Sequence, residues 1–208
     1  MVEGRTLRAS TGSARFSFII APLSSTPPTT STFPSLNSAA ACPARAAFIA
    51  LVGVKASGRK EVPRMEFKRD PYTLSTDKTR LDVGLIHDFL SRAYWAEGRP
   101  LAVVRKSIEH SLCFGVYEGE RQIGFARVIS DHATFAYLDD VFILEPHRGR
   151  GLAKWMLECI LSHPDLQGLW RFALTTRDAH GLYAKVGFKP LLRPERFMEI
   201  LNPDVYKR

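Results

Sequence analysis

Cysteine is scarce in this sequence: Cys42, Cys113 and Cys159 are the three in 208 residues. No two stand in a CxxC pair and three cannot all pair within the chain, so a disulfide framework does not define the fold. Cys113 and Cys159 sit among apolar neighbours and read as core fillers. No Cys/His cluster has metal-ligand spacing, and no metal is expected. Long apolar runs are missing too. Ala46–Val54 covers nine residues, far below the roughly 20 that a membrane-crossing helix needs. Acidic residues are almost absent from one stretch, since residues 1–64 hold Glu3 and Glu61 against eight Lys and Arg. Most of the formal charge of +8 therefore lies there, while residues 65–208 carry 21 basic and 19 acidic side chains. A basic face for nucleic acid is not expected on that nearly neutral body, and neither nucleic acid nor membrane is an expected partner.

Residues 1–64 differ in texture from residues 65–208. The tract Ser24–Thr32 is built from Ser, Thr and Pro, and alanine clusters stand after it at Ala39–Ala41 and Ala46–Ala47. Such a composition buries too little apolar surface to offset chain entropy, which predicts a disordered extension. An Arg-bearing, Ser-rich, acid-poor stretch also fits an organelle transit peptide. A third reading is sequence upstream of a true start at Met65. The short apolar run Phe16–Ile20 makes a poor secretory signal. The expected location is cytoplasmic, with organelle import through residues 1–64 as the alternative.

Residues 65–208 read as one packed α/β (α+β) domain. Tyr72–Ser75 is a short candidate strand. Leu81–Tyr94 carries a helical stripe, Leu81, Leu85, Phe89 and Leu90, with Thr79 or Asp82 as its cap. Gly98-Arg99-Pro100 breaks it, and Leu101–His110 resumes as a second helix. Leu112–Tyr117, Ile123–Ser130 and Phe135–Leu144 form a meander, with a hairpin turn at Glu118–Arg121 and another turn at Asp131–Ala133. Leu152–Ser162 is a helix that Pro164 cannot continue. Trp170–Thr176 is a strand and Asp178–Val186 a helix capped by Gly187. Phe188–Leu192 and Arg196–Ile200 suggest a final hairpin.

The chemistry concentrates in Asp139–Lys154, which runs strand, glycine-bearing loop, helix. A helix start leaves backbone N–H groups unpaired and carries about half a positive charge. Gly149 and Gly151 let that backbone approach an anion without Cβ clashes. A diphosphate is the natural guest of Arg148, Gly149, Arg150, Gly151, Leu152 and Ala153. The loop is neither a Walker A loop nor GxGxxG.

Arg148-x-x-Gly151-x-Ala153 after an apolar strand resembles the acetyl-CoA pyrophosphate loop of the GCN5-related N-acetyltransferases. Some 35 residues later, Leu182-Tyr183-Ala184-Lys185-Val186-Gly187-Phe188 resembles that family's second signature. The order of elements agrees over residues 70–201. The resemblance implies a central, mixed, mostly antiparallel sheet flanked by helices, with two strands splayed at the acyl-CoA cleft. It implies that backbone groups of Val141, Phe142 and Ile143 bind the pantetheine arm like an added strand. The amine then attacks the thioester directly, and a strand N–H near Phe142 or Ile143 holds the tetrahedral oxyanion.

Tyr183 matches the tyrosine that, in many members, protonates the leaving thiolate; packing is its alternative role. Asp139 and Asp140 are candidates for the base that deprotonates the amine. A carboxylate inside an apolar strand is costly unless functional or well paired. Neighbours in a strand point to opposite faces, so only one is expected in the cleft. Some members that act on small amino sugars carry an acidic pair in this register, with Asp140 at the place of its second member. A salt bridge or a substrate-ammonium contact, with water as base, is the alternative. His180 is a reserve candidate. Tyr94, Trp95, Phe114, Phe135 and Tyr137 are candidates for an acceptor pocket.

The function implied is N-acetyl transfer from acetyl-CoA to a primary amine of a small molecule. The alternatives are transfer to a protein or peptide, an acyl-CoA-binding module without turnover, and RNA binding through the basic extension. The oligomeric state is left open, with a homodimer among the options.

Overall fold

The computed structural model describes residues 64–206. The expectations for the extension, Cys42 included, fall outside the described residues. Ten elements run in chain order: β1 (Glu66–Arg69), β2 (Tyr72–Ser75), α1 (Val83–Leu90), α2 (Leu101–Glu109), β3 (Leu112–Glu118), β4 (Arg121–Ser130), β5 (Phe135–Ile143), α3 (Leu152–Leu161), β6 (Arg171–Ala173) and α4 (His180–Ala184). The strands form one open mixed sheet in the order β1-β2-β3-β4-β5-β6. All pairs are antiparallel except β5 and β6, which run parallel.

Helices pack on both faces of this sheet. In α3, buried Leu152, Trp155, Met156, Cys159 and Ile160 recur with helical spacing and cover Leu74, Phe114, Val116, Ile123, Ala126, Ala136 and Leu138. On the other face, Ile86 and Leu90 of α1 and Val104 and Ile108 of α2 meet Cys113, Phe125 and Phe142. Burying each such side chain contributes about 1.5–3 kcal/mol. Cys113 and Cys159 are both buried, as the sequence suggests. Among the described residues, no helix is long and apolar enough to cross a membrane.

The helix α1 is shorter than its stripe. Asp82 accepts from the Leu85 N–H at 2.9 Å and sets its start, and the chain leaves helical form after Leu90. Residues 91–100 then form an irregular connection to α2. The edge strand β1 was not expected: Glu66-Phe67-Lys68-Arg69 has three charges in four residues, a composition that guards an edge rather than announcing a strand. The final hairpin does not form within the described residues. Pro190 and Pro194 interrupt it, Pro194–Arg196 makes a 3-10 turn, and no strand comes after β6.

Candidate active site

The site begins with an extra residue in β5. Arg127 of β4 faces Asp139, whereas Phe125, two positions earlier, faces Phe142, three positions later. Asp140 takes up the difference with φ of 52°, in the left-handed region. This bulge resets the alternation. Ala136 and Leu138 point to the α3 side, yet Phe142 points to the α1–α2 side.

The bulge overturns the expectation that Asp139 and Asp140 face opposite ways. Both carboxylates close on the Arg127 guanidinium. Its Nε donates to Asp140 at 2.5 Å, and its Nη2 donates to Asp139. Arg99 Nη1 donates to both Asp140 oxygens, at 2.8 and 3.0 Å, and Trp95 Nε1 adds a bond at 3.2 Å. Arg99 and Trp95 come from the irregular α1–α2 connection. The Asp140 side chain is fully buried, while that of Asp139 keeps 24% of its exposure. Asp140 is the hub of an ion cluster, and Asp139 is its outward member. Burial, reinforced by the charge on Asp140, raises the Asp139 carboxyl above its ordinary value of 3.8. Burial opposes charge on Arg127, but Asp140 and Asp139 outweigh it and hold that guanidinium above the usual arginine value.

Asp139 opens on a cleft of about 1410 Å³. Tyr94, Trp95, Tyr137 and Thr175 line one part of it, and Val141–Pro146, Arg148 and Ala153 another, with Leu182 and Tyr183 of α4 as a wall. The cleft exists because β5 and β6 pair only over Phe135–Tyr137 and then diverge. The Leu144 N–H donates to Ile123 at 2.8 Å. Alternation therefore turns the Ile143 backbone to the opposite edge, where its carbonyl accepts from Arg148 Nε at 3.0 Å. Phe142 is turned the other way, toward β4, and its ring stacks on Phe89 at 3.9 Å.

The loop after β5 carries two glycines in the left-handed region. Gly149 and Gly151 have φ of 77° and 74°, and a Cβ at Gly149 would meet nothing within 4 Å. Gly151 is the N-cap of α3 and supplies no side-chain cap, so nothing from that residue competes for the first N–H groups. Arg69 reaches across from β1 to the carbonyls of Gly151 and Arg150, both at 3.3 Å. Arg150 itself turns to the Tyr72 hydroxyl at 2.7 Å, and the Leu152 side chain enters the core.

Tyr183 packs edge-on against Phe188 at 5.9 Å. Burial, with smaller contributions from Tyr94, Asp139 and Asp178, pushes its phenol up to about 12. The Tyr94 hydroxyl accepts from the Arg177 N–H at 3.2 Å, and the Arg177 guanidinium stacks on the Tyr94 ring at 3.7 Å. These contacts tie the α1–α2 connection to the loop before α4. Tyr94, Trp95 and Tyr137 thus sit in the cleft. Phe114 does not: it is a fully buried core residue against His163. Phe135 is exposed at the start of β5, and His180 is exposed at the start of α4; neither lines the cleft. Arg99 and Arg127 escaped the sequence reading, although Arg127 is the one charge inside the run Ile123–Ile129.

Known proteins agree with this architecture. Residues 109–190 match the model of the acetyltransferase (GNAT) domain. A Gibberella zeae protein assigned as an acetyltransferase is 34% identical, over 56% of this chain and 78% of its own. A crystal structure from Xanthomonas campestris pv. campestris, of a protein assigned to the GNAT family, is 55% identical. It covers 66% of this chain and 97% of that one with a TM-score of 0.64. A Staphylococcus aureus protein of unknown function shares the fold at 20% identity and a TM-score of 0.52, over 63% of this chain and 98% of its own. The chain belongs to the GCN5-related N-acetyltransferase (GNAT) family and is an acyltransferase.

Proposed function

We propose that the protein transfers an acetyl group from acetyl-CoA to a primary amine of a small molecule, the amine attacking the thioester directly. The observation that carries this reading is that Asp139 and Tyr183 line one cleft, open along the β5 edge between them. The pantetheine arm adds along the outward backbone of Val141 and Ile143. The diphosphate lies over the N–H groups of residues 148–153, where the left-handed glycines leave room. The outward Ile143 N–H holds the charge that develops on the thioester oxygen.

Asp139 takes the proton from the amine. A carboxylate raised toward the working pH is the better base, and burial beside Asp140 raises it. Asp140 touches no reactant; it anchors Asp139 through Arg127. Tyr183 stays protonated and faces the leaving sulfur. A phenol near 12 is a much weaker acid than a thiol near 8.5. Complete proton transfer is uphill, so the hydroxyl acts by donating a hydrogen bond as charge grows on sulfur.

The cleft bounds the size of the acceptor. A volume of about 1410 Å³ exceeds the roughly 300–1,000 Å³ of a single small-molecule site and leaves room for two reactants. Tyr94 and Arg177, which both line the cleft, are joined to each other, and that bridge across its lining favours a small amine over a polypeptide. The test is thiol release from acetyl-CoA by the full chain with small amines and with peptides. Amine-dependent release with small amines supports the reading; release with peptides alone, or with no amine offered, opposes it.

A further inference from the structure

The loop after β5 is held from the opposite edge of the sheet. Arg69 ends β1 and Tyr72 begins β2, and the two are a cross-strand pair at the tip of that hairpin. Directly opposed strand residues put their side chains on one face. Here that face is the α3 side, since Tyr72 belongs to the core that α3 covers. Both residues reach the same loop. Arg69 Nη1 donates to the Gly151 carbonyl and Nη2 to the Arg150 carbonyl, each at 3.3 Å. In the opposite direction, Arg150 Nη1 donates to the Tyr72 hydroxyl at 2.7 Å.

The two Arg69 bonds set the direction of the loop amides. A trans peptide points its C=O and its N–H opposite ways. The Arg150 carbonyl shares a peptide with the Gly151 N–H, and the Gly151 carbonyl shares one with the Leu152 N–H. Arg69 takes both carbonyls, so both N–H groups turn away from it. Those groups are unspent: the backbone N–H groups of residues 149–154 meet no acceptor among the described residues. The loop's own cations are spent, Arg148 Nε on the Ile143 carbonyl and Arg150 on Tyr72. An anion on this loop therefore depends on where its amides point. Gly151, at φ of 74°, has no Cβ to confine that direction. A planar guanidinium bonded to two successive carbonyls confines it instead.

We propose that Arg69 is a positioning residue of the donor site. It holds two loop carbonyls rather than the ligand, and so fixes the Gly151 and Leu152 amides toward the acetyl-CoA diphosphate. Arg69 stands 82 positions before Gly151, so the loop motif does not contain it. The role rests on the reading of acetyl-CoA as donor given above.

The test is CoA binding to the full chain by isothermal titration, beside binding of pantetheine, which lacks the diphosphate, by ligand-observed NMR. Neither measurement needs an acceptor amine. Arg69→Met should weaken CoA about tenfold, the worth of two lost hydrogen bonds, and leave pantetheine unchanged. Its Tm without ligand should stay near that of the parent, because Arg69 is exposed on an edge strand. Arg69→Lys keeps the charge but cannot hold two carbonyls with one planar fork, so it should recover only part of the loss. An Arg69→Met variant that binds CoA as the parent does overturns the role. So does one that loses CoA and pantetheine alike, which is a general defect. An Arg69→Lys variant with parent affinity also overturns it, since Arg69 then acts as a charge on the diphosphate itself. If the parent binds no CoA, the donor reading fails and the role falls with it. If the parent and Arg69→Met bind CoA equally, the donor reading stands and the role alone is lost.

Discussion

Arg99 and Asp140, 41 positions apart, meet in a buried pair at 2.8 and 3.0 Å. The connection that supplies Arg99 has no regular structure of its own, so this pair fastens it to the sheet. Removing one partner of a buried ion pair leaves an uncompensated charge and costs about 3–5 kcal/mol. Arg99→Met is expected to lose stability on that scale in denaturant titration. Arg99→Lys keeps the charge but not the planar fork, and its loss should be smaller. Equal stability of Arg99→Met and the parent would contradict the cluster.

Asp139 and Asp140 separate by function in a pH profile. The folded Asp139 carboxyl lies above 3.8, and a base must be ionised to act. The parent's kcat/KM should therefore fall on the acid side at a pH above the ordinary aspartate range. Tyr183, near 12, keeps its proton through neutral pH and should add no basic limb below about pH 11. Asp139→Asn should lower kcat by about 10²–10⁴ and remove the Asp139 limb while acetyl-CoA binding persists. Retention of the parent profile in Asp139→Asn would remove it as the base.

Gly151 tests the loop. Acetyl-CoA should raise the Tm of the parent, since a ligand that binds only the native state stabilises it by mass action. Gly151→Asp puts a side chain at φ of 74° and an anionic group where the diphosphate belongs. Its intrinsic Tm should drop, given a cost of about 1–2 kcal/mol for a side chain in that region. The further rise with acetyl-CoA should vanish. An undiminished rise would take the loop out of the binding site.

Much of this was legible from residues. Apolar periodicity placed α1, the breaks at Gly98–Pro100 and Pro164 bounded α2 and α3, and Glu118–Arg121 marked the β3–β4 turn. The loop motif and the Leu182–Phe188 signature pointed to the family. Two features were hidden for physical reasons. The bulge depends on Asp140 adopting a left-handed φ that aspartate tolerates but does not advertise. Alternation therefore sent the two carboxylates to opposite faces when they share one guanidinium. Arg99 looked like part of a helix-breaking Gly-Arg-Pro step, because a pairing across 41 residues leaves no local pattern. The apparent last strand failed for a different reason: Pro190 and Pro194 remove backbone donors, and the chain turns at Pro194–Arg196 instead of extending.

The chemistry proposed for the cleft stands most directly on Tyr183. The measurement is amine-dependent thiol release from acetyl-CoA by the parent and by Tyr183→Phe, with the acetyl-CoA-induced Tm rise recorded on the same preparations. The change deletes one hydroxyl and keeps the ring against Phe188. If that hydroxyl bonds the developing thiolate, kcat and kcat/KM fall together by about 10²–10³, the usual worth of one such donor. The Tm rise with acetyl-CoA should remain. Equal turnover in the two proteins would contradict the account.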